Sequence, residues 1–597
     1  WSYRAIFSGK EGMLSQVSLN ILLFISQIIV FYYFFCYLFP FKEQLQMFQF
    51  TSQYLTETLK QAGGVAIYIS EFLSQFYVVF WTGPIISALL LTLVALLSSL
   101  ILKKINSRND LPLIFLLPWL SLLIISLDYD YYEQGTIAYL FLLLFLWLYT
   151  NIKTRIKFIY GICIIPILYG IAGPIVHLFA ISALFFEFLT NGKKKYISII
   201  YLLIAALSAI AGTYLGYSRN LTLAFLPEAY CNPLQTVSGI YYAWYALPMT
   251  MLLVAYLKRY KEPVSLKGKC IWEGAQWAIM FLLVYQGIFH FGKLDAQHSM
   301  KQDYLLRTEQ WDLVISEFNH DVLSKRRMCG LNLALAHKGQ LSERLLDYPQ
   351  HGIETLMLHW DQSIYTAQLH SDLYYCMGII SAAQKFAFEA FVSSRSSGNP
   401  RMLKRLIETN LITGSYPIAD KYIQLLEKTW FYKDWATAHR RFLYNDKAVE
   451  EDKILGMKRR CWKAEASAAK LYTDPVSSLI NLLPACPDNK AGLAYLTSFL
   501  LLNKDIETYK TLQESLYRSP AWRDMTECQQ EAIVICSPND PHFWLEHGVS
   551  IKVRNRAIAF MQKVQDISRS GQNPAVALAS EYGKTYWYYY MFNMMDK

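Results

Sequence analysis

The sequence predicts an all-α protein in two parts: a polytopic bundle of membrane helices, followed by an α-helical repeat domain. Three observations lead to this fold class. Of the 597 residues, 54% are hydrophobic and only 17% are charged, which is too apolar for a single soluble domain of this length. The long apolar runs all lie before residue 293. Beyond it, polar and apolar residues follow one another in helical segments with short breaks, without sustained strand alternation.

The apolar runs of the first part approach the length of about 20 residues that a helix needs to cross a bilayer. Continuous runs of this kind lack the alternation of a membrane barrel strand, so we predict about nine spanning helices. The predicted spans are 15–39, 81–102, 111–127, 136–152, 156–172, 174–190, 196–217, 238–257 and 272–292. The membrane domain then covers residues 1–293, and the second domain covers residues 294–597.

The distribution of basic residues predicts the orientation of this bundle. With the N-terminus in the cytoplasm, the inner loops carry 14 lysines and arginines, whereas the outer loops carry only three, Lys42, Lys60 and Arg219. Positive residues concentrate on the cytoplasmic side of membrane proteins. We therefore expect a multi-pass protein of the bacterial inner membrane whose second domain lies in the periplasm. The net charge of +10 is then partly a topology signal, and we expect no nucleic-acid partner.

The second domain contains segments typical of helical repeats. In NLITGSYPIADKYIQLLEK, residues 410–428, Gly414, Tyr416, Ala419 and Tyr422 occupy positions where a tetratricopeptide helix pair needs small and aromatic residues. Small residues allow close helix contact, and aromatic residues fill the gaps between helices. Because the period is irregular, we predict a degenerate tetratricopeptide-like solenoid, with a generic helical domain as the alternative.

The cysteines leave the disulfide pattern open. The chain has ten cysteines, and seven of them lie in segments predicted to be outside the cytoplasm. No CxxC pair is present, so the sequence does not predict a zinc site. One or two disulfides could form in an oxidising compartment, but the spacing does not determine which cysteines pair. Buried free cysteines are the alternative.

The second predicted outer loop has the sequence LDYDYYEQG, residues 127–135. A carboxylate near hydrocarbon is costly to ionise unless it is paired, metal-bound or exposed to water. Two aspartates at i and i+2 do not share a helix face, but in a loop both can approach one divalent ion. Such oxygen-rich sites suit Mg²⁺ or Mn²⁺, whose remaining ligands can be phosphate oxygens and water. We therefore hypothesise that Asp128 and Asp130 bind a metal that holds a lipid phosphate. The alternative is an ordinary polar turn at the membrane interface.

Three further residues are candidates for the same site. His177 lies just inside a predicted span, where an ionisable residue favours a role such as phosphate binding, with a helix carbonyl as its alternative partner. Arg219 could hold a pyrophosphate in bidentate fashion, or simply be a solvated residue. Glu43 could act as a general base for an acceptor hydroxyl. Glu43 lies at the start of the first outer loop, about residues 40–80. The sequence of this loop predicts two amphipathic interfacial helices with a glycine pair between them.

This arrangement resembles the GT-C class of membrane glycosyltransferases. Members of that class have many spans, a long first outer loop with amphipathic helices, acidic residues in the first two outer loops and often a soluble outer C-terminal domain. In the oligosaccharyltransferases of the class, the second outer loop carries a DxD that helps to bind metal, and Asp128 and Asp130 match it in loop and spacing. The class usually has an aspartate early in the first outer loop, where this chain has Glu43 instead.

The resemblance implies transfer of a sugar from a polyprenyl-phosphate donor to an acceptor at the outer face of the membrane. It also implies a divalent metal, Mg²⁺ or Mn²⁺, as cofactor. The repeat domain would hold the acceptor, which is either a protein or a growing glycan. The chain is also similar to uncharacterised bacterial multi-span families with a helical-repeat tail, a similarity that implies no function.

Two other functions fit the same layout. A non-catalytic scaffold would anchor the repeat domain for envelope assembly or secretion, although anchoring needs only one span. A transporter or flippase would have internal symmetry and ionisable residues near mid-membrane. In this sequence the ionisable residues lie near the outer ends of the predicted spans, which favours a site at the outer face.

Overall fold

The structure of this chain is helical in both halves. The computed structural model describes residues 2–108, 110–190, 196–232, 237, 239–260, 265–317, 324–395, 398–467, 474–538 and 540–593. Over these ranges the regular secondary structure is helical, which confirms the all-α prediction, and one isolated bridge joins Tyr131 to Cys231. The chain divides into two compact units, Trp1–Met300 with Thr429–Phe431, and Lys301–Lys428 with Tyr432–Lys597.

The first unit contains the helices of the apolar half. They are α1 (Ser2–Phe34), α2 (Leu38–Glu43), α3 (Ser52–Leu59), α4 (Gly64–Ser74), α5 (Thr82–Ile105), α6 (Leu117–Ser126), α7 (Glu133–Asn151), α8 (Thr154–Ala172), α9 (Val176–Leu189), α10 (Ile200–Tyr214), α11 (Leu221–Phe225), α12 (Gly239–Leu257) and α13 (Leu266–Phe291). The next helix, α14 (Leu294–Arg307), begins in the first unit, and its residues from Lys301 onward, Asp303 among them, belong to the second unit. Each predicted span overlaps one of them: α1, α5 to α10, α12 or α13. Among the basic loop residues that predict the orientation, Lys193, Lys194, Lys195 and Lys261 lie outside the described residues.

Three of these helices, α5, α7 and α12, are long and apolar enough to cross a membrane. The pair α13 and α14 passes the same test together but bends by 57° at the break between them, so the number rises to four if this pair is one span. The other helices at predicted span positions have shorter apolar stretches. For example, α9 has 14 residues, which at a rise of about 1.5 Å per residue reaches only about 21 Å of the roughly 30 Å of hydrocarbon. The count of nine spans therefore stays a prediction.

Small residues let α5 pack closely within this bundle. Its buried positions include Ser87, Ala88, Ala95 and Ser98, and it packs against α1, α6 and α7. Close backbone approach matters between membrane helices, because lipid tails are as apolar as the side chains and no hydrophobic effect draws the helices together. Since α6 and α7 both pack on α5, the short connection between them lies at one end of the bundle.

The first predicted outer loop forms two helices around its glycine pair, as expected. These are α3 and α4, and Gly63 between them has a φ of +77°, a left-handed conformation that glycine adopts without strain. The N–H of Gly63 donates to the carbonyl oxygens of Tyr169 and Gly170, at N–O distances of 3.2 and 3.1 Å. Helix α4 packs against α7 and α8 and buries Glu71. The predicted interfacial segment is therefore partly built into the bundle.

The second unit is a succession of shorter helices. They are α15 (Trp311–Ser316), α16 (Lys325–His337), α17 (Leu341–Arg344), α18 (Ile364–Met377), α19 (Ile380–Ser393), α20 (Pro400–Thr413), α21 (Tyr416–Glu427), α22 (Lys433–His439), α23 (Asp446–Glu451), α24 (Lys453–Ser467), α25 (Pro475–Leu482), α26 (Lys490–Leu502), α27 (Ile506–Leu516), α28 (Glu527–Cys536), α29 (Pro541–Glu546), α30 (Ile551–Arg569), α31 (Pro574–Tyr582) and α32 (Tyr586–Phe592).

Two helix pairs in this unit repeat the same design. The first pair, α18 and α19, begins at Ile364, and the second pair, α20 and α21, begins 36 residues later at Pro400. In each pair the first helix ends at a glycine in the left-handed conformation, Gly378 with φ +88° and Gly414 with φ +75°. The four helices pack consecutively on one another. The offset is close to the tetratricopeptide period of about 34 residues, but the assignment to that repeat class stays a prediction.

Glu531 on α28 is a buried carboxyl group in the second unit. It is 3% exposed, and its Oε2 accepts a hydrogen bond from the backbone N–H of Tyr586 at 2.6 Å. Burial raises the pKa of Glu531 from 4.5 to about 7, against the opposing effects of that hydrogen bond and of Arg556, while Glu527 adds to the rise. Between pH 4.5 and about pH 7, Glu531 of the folded protein holds a proton that the unfolded chain has released. Stability therefore falls as the pH rises through this window.

We expect Glu531→Gln to remove this pH dependence. The amide keeps an acceptor for Tyr586 but cannot ionise, so above about pH 7 the variant should be more stable than wild type by about 3 kcal/mol, at about 1.36 kcal/mol per pKa unit. Thermal unfolding of the full chain in detergent, at about pH 5 and about pH 8, measures the difference. Glu514→Gln, which removes an exposed carboxylate from the neighbouring helix α27, is the matched control. A Glu531→Gln effect of equal size at both pH values would contradict the expectation.

Candidate functional site

The DYD stretch between α6 and α7 folds into a tight turn. Oδ1 of Asp128 accepts a hydrogen bond from the backbone N–H of Asp130 at 2.9 Å, and the carbonyl oxygen of Asp128 accepts one from the N–H of Tyr131 at 3.3 Å. An aspartate that bonds the backbone two residues on is a common way to close a turn. Asp128 is 5% exposed and Asp130 is fully buried. The turn therefore brings both predicted carboxylates together inside the protein.

A second segment of the chain pairs with this turn. The N–H of Tyr132 donates to the carbonyl oxygen of Tyr230, and the N–H of Asn232 donates to that of Asp130, both at 2.9 Å. The side-chain amide of Asn232 also donates to Oδ1 of Asp130 at 3.1 Å. Residues 233–236, which follow, lie outside the described residues. This pairing holds Asp130 by both its backbone and its side chain.

Lys293 joins the two aspartates from the other side. Its Nζ lies 2.9 Å from Oδ1 of Asp128, 3.2 Å from Oδ2 of Asp130 and 4.2 Å from the ring centre of Tyr129. Burial alone would lower the pKa of Lys293, but the hydrogen bond and charge of Asp128 outweigh it, so the pKa is raised. The side chain of Lys293 is 34% exposed, against 7% and 0% for the aspartates. Of these three side chains, that of Lys293 is the most exposed.

The backbone at Lys293 is strained. Its φ is +41°, which is uncommon for a residue with a Cβ, and it lies in the break between α13 and α14. Such conformations cost about 1–3 kcal/mol and persist where the surrounding structure imposes them. Here the two ion pairs of the side chain hold the lysine at the bend. The helix break and the charged cluster are therefore one structural feature.

A second lysine and a third carboxylate lie close to this trio. Lys42 is buried, and its Nζ donates to the carbonyl oxygen of Ser126 at 2.9 Å. Burial lowers the pKa of Lys42, and the charges of Glu133, Asp128 and Asp130 oppose that effect. Glu133 begins α7, where the helix dipole favours a carboxylate. Its Oε1 is buried without a hydrogen-bond partner among the described residues. We define the charge cluster as Lys42, Asp128, Asp130, Glu133 and Lys293.

The charge cluster presents its two aspartates to an ammonium ion. Oδ1 of Asp128 and Oδ2 of Asp130 converge on Nζ of Lys293, so a divalent ion at that point would have to displace the lysine. In the part of the chain that the structure describes, no group of three or more His, Cys, Asp or Glu side chains could hold a metal ion. In this structure the two aspartates are therefore paired with an ammonium, and binding of Mg²⁺ or Mn²⁺ at this turn stays a prediction.

His177 and Arg219 lie in surroundings separate from the charge cluster. His177 stacks on Phe225 with ring centres 4.8 Å apart, and its buried Nε2 has no hydrogen-bond partner among the described residues. Arg219 is exposed and makes none of the contacts of the charge cluster. Glu43 is 3% exposed and accepts a hydrogen bond from the side chain of its neighbour Gln44. The structure thus brings Asp128 and Asp130 together and does not add His177 or Arg219 to them.

Sequence reasoning missed the partners of the aspartates. Lys42 precedes Glu43 and enters the sequence analysis only as a loop charge, and Lys293, which directly follows the last predicted span, does not enter it at all. A lysine placed next to a membrane span on the outer face, against the positive-inside trend, is the signal that could have indicated a buried carboxylate partner. Asn232 carried no such signal, because only the fold pairs it with Asp130.

An apolar groove lies between α6, α12 and α13, and two of its lining residues are close in sequence to members of the charge cluster. Its volume is about 620 Å³, and apolar residues line most of it, with Tyr242, Gln286 and His290 among its polar groups. Ile124 and Phe291 line it as well. They precede Asp128 by four residues and Lys293 by two, so one end of the groove lies within about one helical turn of the cluster along the chain.

Together these features define a helical protein with helices able to cross a membrane and a buried charge cluster at one end of its bundle. The chain belongs to a family described as a family of unknown function (DUF6057), which matches residues 13–593 and so includes most of both units. No curated protein and no solved structure matches the chain.

Proposed function

We propose that this protein is a membrane glycosyltransferase that moves a sugar from a polyprenyl-phosphate donor to an acceptor at the outer face of the membrane. The observation that carries the proposal is the charge cluster, with its one partly exposed cation, at the end of an apolar groove. The proposal includes the GT-C-like bundle of about nine spans, a cytoplasmic N-terminus and a periplasmic, tetratricopeptide-like second unit. It places the chain in the bacterial inner membrane.

The groove suits the lipid part of such a donor. A polyprenyl chain is a linear run of apolar isoprene units, each with a methyl branch, and the groove has the size and lining of a typical site for apolar ligands. With the chain in the groove, the phosphate would lie near Phe291 and reach Lys293. An ammonium is a common phosphate ligand, because it provides a full charge and three donors.

The two aspartates would then have different roles. Both oxygens of Asp130 are engaged, Oδ1 by Asn232 and Oδ2 by Lys293. The contacts of Asp128 among the described residues all go to its Oδ1. Its Oδ2 therefore suits the proton of an acceptor hydroxyl, so we assign Asp128 as the general base and Asp130 as a residue that positions Lys293.

The transfer step follows from these roles. The acceptor oxygen forms a bond to the anomeric carbon while the bond between that carbon and the phosphate oxygen breaks. The proton of the acceptor passes to Asp128, and the phosphate leaves with the electron pair. Lys293 stabilises the charge that develops on the phosphate. Lys42 adds a second lysine close to Glu133, Asp128 and Asp130. In this scheme the Lys293 ammonium supplies the positive charge that we first expected from a metal.

The test compares glycans in the native host. The gene is replaced by an Asp128→Asn, Asp130→Asn version, and envelope glycans and glycoproteins are compared with wild type and a full deletion by mass spectrometry. We expect the variant to lose the same glycan as the deletion, at normal membrane abundance. Glu57→Gln, an exposed outer-loop acid on α3, is the matched control and should leave the profile unchanged. If the deletion loses a glycan that the double variant retains, the assignment of the site is wrong. A deletion with an unchanged profile would refute the function.

One observation favours a second function, that of a scaffold. The repeated helix pairs α18–α19 and α20–α21 form consecutive layers, and stacked helix pairs provide extended surfaces for protein or glycan partners. A scaffold would need the second unit but not the aspartates. The same experiment separates the two functions, because the Asp128→Asn, Asp130→Asn variant would then behave as wild type while the deletion loses an envelope complex.

A further inference from the structure

Two cysteines of the second unit meet inside it. Sγ of Cys461, on α24, lies 2.6 Å from Sγ of Cys486, which follows α25. Cys461 is fully buried and Cys486 is 1% exposed. Of the cysteine pairs that the described residues include, this is the one whose sulfur atoms are in contact.

The surroundings hold both cysteines in place. Arg460, next to Cys461, forms an ion pair of 2.6 Å with Asp488, two residues after Cys486. The side chain of Asn489 donates to the carbonyl oxygen of Met377 at 2.7 Å. A Cβ at Gly378, if one were present, would lie 3.2 Å from Sγ of Cys461. The contact between the two sulfurs is therefore set by packing from three segments of the chain.

We propose that Cys461 and Cys486 form a disulfide in the mature protein. The two thiols lose two protons and two electrons as the S–S bond forms. The electrons pass by thiol–disulfide exchange to a disulfide donor, which is reduced to two thiols. This bond would close a loop from Cys461 to Cys486 that contains α25.

The electrostatic surroundings favour the first step of this exchange. The attacking species in thiol–disulfide exchange is a thiolate. A hydrogen bond from Cys486 lowers the pKa of the Cys461 thiol in spite of its burial, and the nearby ammonium of Lys458 acts in the same direction. Because both sulfurs are buried in the folded unit, the bond is protected from reductants once it has formed.

The disulfide has a consequence for location that does not depend on glycosyl transfer. Disulfides persist in oxidising compartments such as the periplasm and are rare in the cytosol. A bond between Cys461 and Cys486 would therefore place the second unit outside the cytoplasm. This agrees with the orientation predicted from the basic loop residues, on independent grounds.

Peptide mapping of the full chain tests the proposal without any variant. Cells of the native host are quenched with acid, the protein is denatured with an alkylating reagent, and tryptic peptides are analysed without reduction. We expect peptide 461–463 (CWK) joined to peptide 471–490, at a mass two hydrogens below the sum of the two peptides. After growth with dithiothreitol both cysteines should instead carry the alkyl label.

Two results would overturn the proposal. Alkyl label on both Cys461 and Cys486 in untreated cells would show that they are free thiols. A bridge from either of them to another cysteine, for instance Cys376, would show a different pairing. As a second measurement, the Cys461→Ala, Cys486→Ala double variant should melt at a lower temperature than wild type. A reductant should lower the melting temperature of wild type only, provided that it is added during refolding.

Discussion

Replacing Lys293 with methionine is expected to destabilise the full chain by about 3 kcal/mol and to abolish the proposed product. Methionine keeps the volume of the lysine stem but removes the charge that Asp128 and Asp130 share. Both aspartates are buried, and a buried carboxylate without its partner pays the full desolvation penalty. Thermal unfolding in detergent measures the stability, and glycan mass spectrometry in the native host measures the product.

Charge neutralisation of the aspartates separates stability from function at this site. When Lys293→Met is combined with Asp128→Asn and Asp130→Asn, no unpaired carboxylate remains at the turn, so we expect most of the lost stability to return. The product should stay absent, because the base and the phosphate ligand are both missing. Lys447→Met is the matched control, because the side chain of Lys447 is 85% exposed and pairs with Glu451. It should change stability by less than about 1 kcal/mol. A triple variant as unstable as Lys293→Met would contradict this account of the charge cluster.

Replacing Arg401 with methionine is expected to destabilise the second unit by about 3–5 kcal/mol. Arg401 joins two helices, because its Nη1 lies 2.7 Å from Oδ1 of Asp303 on α14 and its Nη2 lies 2.5 Å from Oδ2 of Asp372 on α18. Its side chain is only 12% exposed. Arg405 also binds Asp372, at 3.1 Å, so one partner of that carboxylate would remain. Asp303 would lose its ion pair.

The control for Arg401 is an exposed arginine that also pairs with two acidic side chains. Arg440 also bridges two acids, Asp420 and Glu427, at 3.2 and 2.6 Å, but it is 41% exposed. Exposed ion pairs contribute about 0–1 kcal/mol, so Arg440→Met should have a small effect on urea or thermal unfolding of the full chain. Equal losses for the two variants would show that burial is not what makes the Arg401 network important.

The positions of the helices follow largely from local sequence. Each predicted span overlaps a helix, since a continuous apolar run can satisfy its backbone in lipid only by forming one. The helix pair in residues 410–428 was also predicted, because Gly414 ends one helix and small and aromatic residues continue into the next. The lengths of the shorter helices, such as α9, did not follow as directly, because turns and breaks shorten a helix within an apolar run.

The residues of the candidate site also fall into two groups, those that the local sequence indicates and those that only the fold brings together. Asp128 and Asp130 are two residues apart, so a local motif was enough to single them out. Lys293 is more than 160 residues away along the chain, and no local pattern places it within 3 Å of Asp128. His177 and Arg219 had reasonable local signals, yet the fold places His177 against Phe225 and leaves Arg219 exposed.

By itself, then, the sequence determined the all-helical class, the change from an apolar to a polar half and the acidic turn, because each depends on residues that are neighbours along the chain. Only the tertiary structure decided which groups balance the buried aspartates, where the apolar groove lies and which two of the ten cysteines meet. The physical reason is that charge pairing, cavities and sulfur contacts depend on distances in space. Those distances are set by how distant helices pack, which local propensity does not specify.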